Sequence, residues 1–345
     1  MNSWRSAGCQ HPRLLCGEGR LKGIVLAAGR GERLRPFTEE VPKPLLPVLN
    51  IPVLEFALAS LENAGVDEVG INIFHAAERI APYLQARPGT TPLVVSQEHQ
   101  LMGSAGGLKV LTQRLGSGPY LIHSVDVVSD IAWDAVLEVH RRQRAPVTLV
   151  LTETPYPGEE GVAVDLRGRI TDIYGLARGE RGPYGLLGLH VVERDFAIRL
   201  PPQGDIVRDV YIPYLMRGGM IGSYMHTGYG MELRTPAQYL LAHRDLLDQR
   251  IKLPARITSR IAEERARQPR VNHGRIMDPS ACAASSRLEK GASVGPYVVL
   301  GEGASVGADA HLEHAVLLPG ASIPAHESLR HVIVGSGIIV RAEAP

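Results

Sequence analysis

The chain has 345 residues, of which 37 are basic and 36 acidic, and this near-balance argues against a protein built to bind polyanions or membrane surfaces. We therefore expect no nucleic-acid partner and no membrane partner. Three cysteines without paired metal-ligand spacing favour a reducing compartment over a disulfide framework. A chain of this length can bury a sizeable core and is expected to contain two domains.

Residues 1–21 mix Arg, Cys, Pro, Gly and His, and they contain no apolar run long enough for a signal peptide or a membrane span. Cys9, His11 and Cys16 lack a fourth metal ligand nearby, which disfavours a zinc site. We expect this segment to be a mobile extension and the protein to be cytoplasmic.

The most informative stretch begins at an apolar run, Gly23 to Ala28, whose Ile, Val and Leu are typical of a buried strand. Gly29 and Gly31 end that run at once. Small residues let the backbone approach a polyanion, and nearby cations neutralise it. The cations that follow the run are Arg30, Arg33, Arg35 and Lys43. The stretch therefore predicts a phosphate-binding loop, although it lacks the endings of the ATPase loop and of the dinucleotide fingerprint.

The next segments alternate between strand and helix patterns. Apolar residues at helical spacing predict helices over residues 53–64 and 77–84, and apolar runs predict strands at Val69 to Phe74 and Leu93 to Ser96. Such alternation indicates a mostly parallel sheet that is covered by helices on both faces.

Two later stretches combine strand ends with chemistry-bearing residues. Glu98 to Leu108 is too rich in glycine for a helix interior, so a helix is expected only from Leu108 to Leu115. Asp126 interrupts the apolar strand Tyr120 to Val128, and an unpaired carboxylate in a buried strand is costly. Asp126 is therefore expected in a cleft at the carboxyl end of the strand or beside a cation, unless it only caps the next turn.

The last part of the chain has a different period. Residues 251–285 are polar and Arg-rich and are predicted to be a linker, with a helix over 257–267. Aliphatic residues then recur every six positions, at Leu288, Val294, Leu300, Val306, Leu312 and Leu318. This is the hexapeptide pattern of a left-handed parallel β-helix, which we expect over residues 286–345 behind a first domain of 22–250. So short a stack is expected to pack against the first domain or a second subunit, which favours a homo-oligomer.

The phosphate-loop region resembles the signature of the sugar-nucleotide pyrophosphorylases, the nucleoside triphosphate:sugar-1-phosphate nucleotidyltransferases. The residues that match it are Gly29, Gly31, Arg33, Leu34, Pro36, Pro42, Lys43 and Pro44. The order of motifs, with a β-helix at the C-terminal end, is similar to that of mannose-1-phosphate guanylyltransferases. The resemblance implies an α/β fold, in which a Rossmann-like, mostly parallel nucleotidyltransferase domain precedes the left-handed β-helix.

The same resemblance implies a reaction and a site. A sugar-1-phosphate oxygen attacks the α-phosphorus of a nucleoside triphosphate and pyrophosphate leaves, with GTP and mannose-1-phosphate as the expected pair. Arg33, Lys43 and Asp126 are the implied catalytic residues, and Asp126 and Glu232 are the implied ligands of Mg²⁺. The implied nucleotide contacts are Leu26, Ala27, Ala28, Gly29, Gly31, Glu32, Glu98, Gly103 and Ser104. The implied sugar contacts are Gly161 and Gly188.

Some positions depart from the family pattern and keep alternatives open. A Glu-Lys-Pro that contacts the sugar phosphate in many members is replaced at residues 175–177, Glu232 stands where Asp is usual, and Arg234 replaces Gly. One alternative is the same reaction with UTP or dTTP and a muramate- or glucose-type 1-phosphate. Another is a non-catalytic regulatory homologue that binds sugar nucleotide.

Overall fold

The computed structural model describes residues 20–342 except 88, 90, 157 and 268. Cys9, His11 and Cys16 lie outside the described residues, as does nearly all of the predicted mobile extension. Within the described part of the chain, no helix combines the length and apolar character needed to cross a membrane.

A mostly parallel sheet organises the first unit. The strands up to residue 232 are β1 Lys22–Leu26, β2 Pro47–Val48, β3 Ile51–Pro52, β4 Glu68–Ile73, β5 Leu93–Gln97, β6 Tyr120–Ser124, β7 Val127–Ser129, β8 Val147–Thr152, β9 Val162–Val164, β10 Ile170–Ile173, β11 Gly185–Val192, β12 Gly222–Met225 and β13 Gly230–Glu232. Seven of them form one sheet in the order β12-β8-β11-β6-β1-β4-β5. Only β11 runs antiparallel to its neighbours, so the predicted α/β architecture is confirmed.

Helices cover both faces of this sheet because its strands are apolar on both sides. The α-helices are α1 Phe37–Glu40, α2 Val53–Asn63, α3 Ala77–Ala86, α4 Gly103–Leu115, α5 Trp133–Gln143, α6 Arg194–Ala197, α7 Ile212–Met216, α8 Pro236–Leu247 and α9 Ala255–Ala266. Successive residues of β1 point to opposite faces. Val25 packs with residues of α2, α3 and α5, whereas Ile24 packs with residues of α4 and α7.

The register of the central strands determines which residues meet at the carboxyl edge of the sheet. Leu26, the last residue of β1, is level with Asn72 of β4 and with Ser124 of β6. Ligands of open α/β sheets bind at this edge. The loop after β1 and the turn after β6, which holds Asp126, therefore start side by side.

The glycine-rich stretch after β5 corrects one prediction. Helix α4 begins at Gly103, and the expected start at Leu108 was wrong. A Cβ on Gly106 would lie 2.4 Å from the carbonyl oxygen of Pro202, and one on Gly107 would lie 2.3 Å from Asn72 Nδ2. These glycines let the helix approach its neighbours closely, so tertiary packing outweighs their low helix propensity.

The C-terminal region is a stack of mostly short strands that pair in parallel, namely β14 Arg270–Val271, β15 Arg275–Ile276, β16 Ala281–Cys282, β17 Arg287–Leu288, β18 Ser293–Val294, β19 Val298–Leu300, β20 Ser305–Val306, β21 His311–Leu317, β22 Ser322–Ile323 and β23 Ser328–Val334. The last strand, β24 Ile339–Arg341, pairs antiparallel with β23. Strands one coil apart pair in parallel, as in Arg287 with Ser305 and Ser293 with His311. The six aliphatic residues of the predicted repeat are buried in the stack. Its handedness stays a prediction.

The stack begins earlier than expected. Strand β14 pairs with β17, β15 with β18 and β16 with β19, so the first coil starts at Arg270 and the predicted boundary at residue 286 was wrong. The residues of this coil that pair with the aliphatic repeat of the next coil are Val271, Ile276 and Cys282. They are separated by five and then six positions, and this unequal spacing hides the repeat. The predicted linker therefore shrinks to the segment that contains α9.

The coils share a hydrophobic core with the first unit. Phe37, which lies within the phosphate-loop region, belongs to the same buried cluster as Leu246 of α8 and as Val299 and Ile333 of the coils. Hydrogen bonds cross the same boundary, for example from Asn50 Nδ2 to the carbonyl oxygen of Leu300 over 3.1 Å. The back of the phosphate-loop region is therefore supported by the coils.

A buried carboxylate connects three helices beneath this boundary. Glu55 of α2 is fully buried and pairs with Arg87 at 3.2 Å and with Arg256 of α9 at 2.6 Å. Tyr83 of α3 donates a hydrogen bond to it over 2.7 Å. Burial alone would raise the pKa of Glu55, but hydrogen bonding and charge from Arg87 outweigh burial and hold that pKa below its ordinary value of 4.5.

We expect Glu55→Gln to lower the free energy of unfolding by about 3 kcal/mol, because it leaves the buried Arg87 without its main counter-charge. Glu62→Gln is the matched control, since Glu62 contacts the same arginines but is partly exposed, and about 1 kcal/mol is expected. Urea denaturation measures both. Because folding lowers the pKa of Glu55, its contribution is present above pH 4.5 and is lost as the pH falls through the lowered value. Equal losses in the two variants would contradict this prediction.

Candidate active site

The loop after β1 has two glycines with different roles. Gly31 adopts a left-handed conformation with φ of +67°, and a Cβ there would lie 2.8 Å from Thr38 Cγ2. The Thr38 hydroxyl also donates a hydrogen bond to the Gly31 carbonyl over 2.9 Å. Gly29 has an ordinary φ and open space where a Cβ would be. The fold therefore requires glycine at 31, whereas at 29 the small residue leaves room above the loop.

Two adjoining cavities open at the carboxyl edge of the sheet. The first, here called the loop cavity, has a volume of about 670 Å³ and is bounded by the loop after β1, Lys43, Asn72 and the start of α4. The second, the inner cavity, has a volume of about 400 Å³ and is bounded by Gly188 and Glu232 among others. The residues that line both are Leu26, Arg33, Ser104, Ser124, Asp126 and Asp205.

Asp126 lies in the turn between β6 and β7, where both cavities meet. One of its oxygens pairs with Lys43 and the other accepts a hydrogen bond from the Ser124 hydroxyl over 2.8 Å. Burial alone would raise the pKa of Asp126, but the charge and hydrogen bond of Lys43, with help from Ser124, hold that pKa at about 2. Asp126 is therefore an ionised carboxylate in a buried position, as the strand pattern predicted.

Glu232 provides a second carboxylate in the inner cavity, at the end of β13. It is 5 % exposed, and its Oε1 accepts a hydrogen bond from the Gly188 amide over 2.9 Å. Burial and the nearby charge of Asp126 raise the pKa of Glu232 to about 8. Two buried carboxyl groups, one of which raises the pKa of the other, form a donor set that a divalent cation would stabilise.

The donor set is small. Among the residues that the structure describes, no group of three or more His, Cys, Asp or Glu side chains could hold a metal ion. A cation on Asp126 and Glu232 would need further oxygen ligands from water or from a phosphate group, which is how Mg²⁺ is commonly bound. The two residues therefore fit a cation whose remaining ligands are water or phosphate oxygens.

Asn72 is a site residue that the sequence pattern did not single out. Its Oδ1 accepts a hydrogen bond from the Ala27 amide over 2.9 Å, and its Nδ2 donates to Glu98 over 2.7 Å. Asn72 lines the loop cavity, whereas Glu98 lies behind it, buried and bonded also to the Met102 amide. Glu98 thus orients Asn72, and Ala27 is buried under the loop. A polar residue inside the apolar strand β4 was the available signal.

Comparisons with known proteins agree with this geometry. Residues 22–174 match the family model described as nucleotidyl transferase. The chain carries a nucleotidyl transferase domain. Mannose-1-phosphate guanylyltransferase 1 of Arabidopsis thaliana is 25 % identical over 306 residues, covering 86 % of this chain and 81 % of that protein. Mannose-1-phosphate guanylyltransferase of Mycobacterium tuberculosis is 28 % identical, covering 86 % and 80 %. The resemblance to sugar-nucleotide pyrophosphorylases is therefore confirmed.

Two further similarities concern part of the chain. UTP--glucose-1-phosphate uridylyltransferase of Synechocystis is 31 % identical over 147 residues, covering 39 % of this chain and 38 % of that protein. The crystal structure of HddC from Yersinia pseudotuberculosis has a TM-score of 0.57 at 16 % identity, covering 66 % of this chain and 99 % of that one. A structure of HddC complexed with GMP-PN has a TM-score of 0.56 at 15 % identity. These structures support the fold of the transferase domain.

The remaining predicted contacts of the nucleotidyl transferase fall into two groups. Leu26, Ala28, Gly29, Gly31, Glu32, Arg33, Gly103 and Ser104 line the loop cavity. Gly188 lines the inner cavity, but Gly161 lines neither, because it packs at the start of β9 where a Cβ would meet the Gly182 carbonyl at 1.9 Å. The inner cavity also contains residues that were not predicted, among them Tyr174, Asp205, Arg208 and Arg234.

Proposed function

We propose that the chain transfers a nucleotidyl group from a nucleoside triphosphate to a sugar-1-phosphate, with GTP and mannose-1-phosphate as substrates and GDP-mannose and pyrophosphate as products. The relatives that cover most of the chain carry the name mannose-1-phosphate guanylyltransferase. The observation that carries the proposal is the pair of adjoining cavities. The two cavities give room for two anionic substrates side by side. Arg33 and Asp126 are among the residues that line both cavities, so they would lie where the reacting phosphates meet.

The residues of the loop cavity bind and orient the triphosphate. The backbone beside Gly29 leaves room for phosphate oxygens, and Arg33 neutralises the pyrophosphate as it leaves. Lys43 lines the loop cavity and pairs with Asp126, which borders both cavities, so it stabilises the α-phosphate and the attacking sugar phosphate. In-line displacement at phosphorus requires mainly positioning and charge neutralisation, which this set of residues supplies.

Asp126 and Glu232 are the residues that would hold Mg²⁺. When bound, the cation neutralises charge on the phosphate oxygens of the reacting groups. The chain's own contribution is to present two buried carboxylates on one cavity wall, with Lys43 beside the first of them. Lys43 and the cation would then share Asp126, so the lysine becomes more available to phosphate.

The experiment is pyrophosphate release with magnesium, in a matrix of GTP, UTP, dTTP, ATP and CTP against mannose-, glucose-, N-acetylglucosamine- and muramate-type 1-phosphates. We expect turnover with GTP and mannose-1-phosphate, and loss of that turnover when a chelator removes the metal. Restoration by added Mg²⁺ is the control for damage by the chelator. Absence of turnover with every substrate pair, in protein shown to be folded, would contradict the proposal and favour the non-catalytic homologue.

A second candidate is uridylyl transfer to a glucose- or muramate-type 1-phosphate. The similarity to UTP--glucose-1-phosphate uridylyltransferase favours it, although it covers less of both chains than the guanylyltransferases do. The same matrix separates the two candidates. The cytoplasmic location and the homo-oligomeric state stay predictions.

A further inference from the structure

The carboxylate of Glu232 is braced on both sides. Its Oε1 accepts the hydrogen bond from the Gly188 amide, and its Oε2 forms an ion pair with Arg234 Nε. The backbone amide of Glu232 also donates a hydrogen bond to the Tyr156 hydroxyl over 2.8 Å. A glutamate has three side-chain torsions, so an unbraced carboxylate would sample several positions in the cavity. The hydrogen bond and the ion pair therefore limit the movement of the Glu232 carboxyl group.

Arg234 is itself held in place by a second layer of contacts. Its guanidinium forms an ion pair with Glu159 and lies over the ring of Tyr156, with Cζ 4.9 Å from the ring centroid. The Arg234 side chain is only 14 % exposed, although it lines the inner cavity. Cation–π contact and ion pairing are both stronger when they are partly shielded from water. Glu159 and Tyr156 thus hold Arg234 against Glu232.

We propose, on the basis of the proposed function, that Arg234 is a positioning residue for the metal-binding carboxylate of Glu232, and that Tyr156 and Glu159 hold Arg234 in that role. The ion pair places the positive charge of Arg234 directly beside the carboxyl group of Glu232. The ion pair also keeps the longer glutamate side chain in one orientation. Residues that orient metal ligands typically contribute a factor of about 10 to 100 to metal affinity or activity.

The competing role for Arg234 is direct contact with the sugar phosphate, because it lines the same cavity. Existing contacts favour positioning, since Glu159, Tyr156 and Glu232 occupy the guanidinium on several sides. The two roles predict different measurements. Loss of a positioning residue weakens metal binding in the absence of sugar phosphate, whereas loss of a phosphate contact raises the KM for sugar-1-phosphate.

The experiment compares wild-type protein, Arg234→Gln and Glu159→Gln by electron paramagnetic resonance of free Mn²⁺, with no nucleotide or sugar present. We expect the dissociation constant for Mn²⁺ to rise about tenfold in Arg234→Gln and in the same direction, by less, in Glu159→Gln. Arg208→Gln is the matched control, because Arg208 lines the same cavity but has no contact with Glu232 among those the structure gives. Its Mn²⁺ affinity should stay within about twofold of wild type.

A double variant gives an independent readout. Glu232→Asp shortens the carboxylate, and Arg234→Gly removes the arm that braces it. We expect each single substitution to raise the Mg²⁺ concentration for half-maximal turnover, and the double variant to recover part of the loss because a shorter carboxylate needs less bracing. Strictly additive losses in the double variant would overturn the proposal.

Several results would overturn the inference. Unchanged Mn²⁺ affinity in Arg234→Gln, with a raised KM for sugar-1-phosphate, would make Arg234 a substrate contact. Absence of Mn²⁺ binding to wild-type protein would also overturn it. Thermal melting identifies variants that fail to fold. If Arg234→Gln does not fold, the Mn²⁺ affinity of Glu159→Gln tests the inference, since this variant keeps both Arg234 and Glu232. Because Mn²⁺ binding needs no turnover, a protein silent in the substrate matrix would contradict the proposed function while leaving this inference measurable.

Discussion

Replacing Asp126 with asparagine is expected to lower turnover by a factor on the order of 10³ or more, because a neutral amide removes the buried charge at the meeting point of the two cavities. The substitution keeps the size of the side chain. It also leaves Lys43, its ion-pair partner, without a counter-charge. Steady-state pyrophosphate release with the active substrate pair measures the loss.

Ser124→Ala is the control for this prediction. It removes a hydrogen bond to Asp126 but keeps the ionised carboxylate, so we expect a loss of about tenfold or less. A thermal melt of both variants separates chemistry from unfolding, since the unpaired Lys43 is expected to cost some stability in Asp126→Asn. Retention of more than a tenth of wild-type turnover in folded Asp126→Asn would remove Asp126 from the catalytic set.

Gly29→Ala is expected to leave stability nearly unchanged and to lower kcat/KM for the nucleotide by about a hundredfold. The fold has open space for this methyl group and the φ of Gly29 is ordinary, so the substitution is expected to weaken nucleotide binding and not folding. A methyl group above the loop displaces the phosphates by about 1 Å, and a displacement of that size is enough for such a loss. Nucleotide titration of turnover, with urea denaturation in parallel, measures both quantities.

Gly31→Ala is the contrasting variant. It places a methyl group against Thr38 in a left-handed backbone conformation, so a loss of stability of at least about 1 kcal/mol is expected. Equal stability losses in the two variants would show that Gly29 is needed by the fold. Unchanged nucleotide kinetics in stable Gly29→Ala would show that phosphate does not approach the loop there.

The parts of the fold that the sequence predicted are those carried by local patterns. Residues 23–31 predict a buried strand followed by a loop, because an apolar run is followed directly by glycines. This pattern is visible without reference to distant residues. Asp126 was predicted for the same reason, since a carboxylate within an apolar run is costly unless it lies in a cleft. The six-residue period likewise predicted the coils from Leu288 onward.

The parts that were missed depend on contacts between distant segments. The predicted start of helix α4 was too late in the chain. The close approach of Gly106 to Pro202 and of Gly107 to Asn72, which explains these glycines, is not apparent from the local sequence. The hydrogen bond by which Glu98 supports Asn72 was also not predicted, whereas the nucleotide contact of Glu98 stays a prediction. The first coil was missed because its residues that pair with the aliphatic repeat are unequally spaced.

The surroundings of Glu232 show the same limit at the site. From the sequence alone, Arg234 was an unexplained departure from the family pattern. Its partners Tyr156 and Glu159 lie more than seventy residues earlier in the chain. Nothing in the local sequence pairs these segments. Only the folded structure shows the departure at Arg234 to be part of a connected set of contacts.

The shared core between the phosphate-loop region and the coils has a consequence for how the molecule can be divided. Phe37, Leu246, Val299 and Ile333 belong to one buried cluster, so a cut near residue 250 would expose apolar surface on both pieces. Exposed surface of that kind favours aggregation. The residues that match the nucleotidyl transferase model end at 174, well before the end of the unit that shares this core. The first unit therefore depends on the coils for part of its stability.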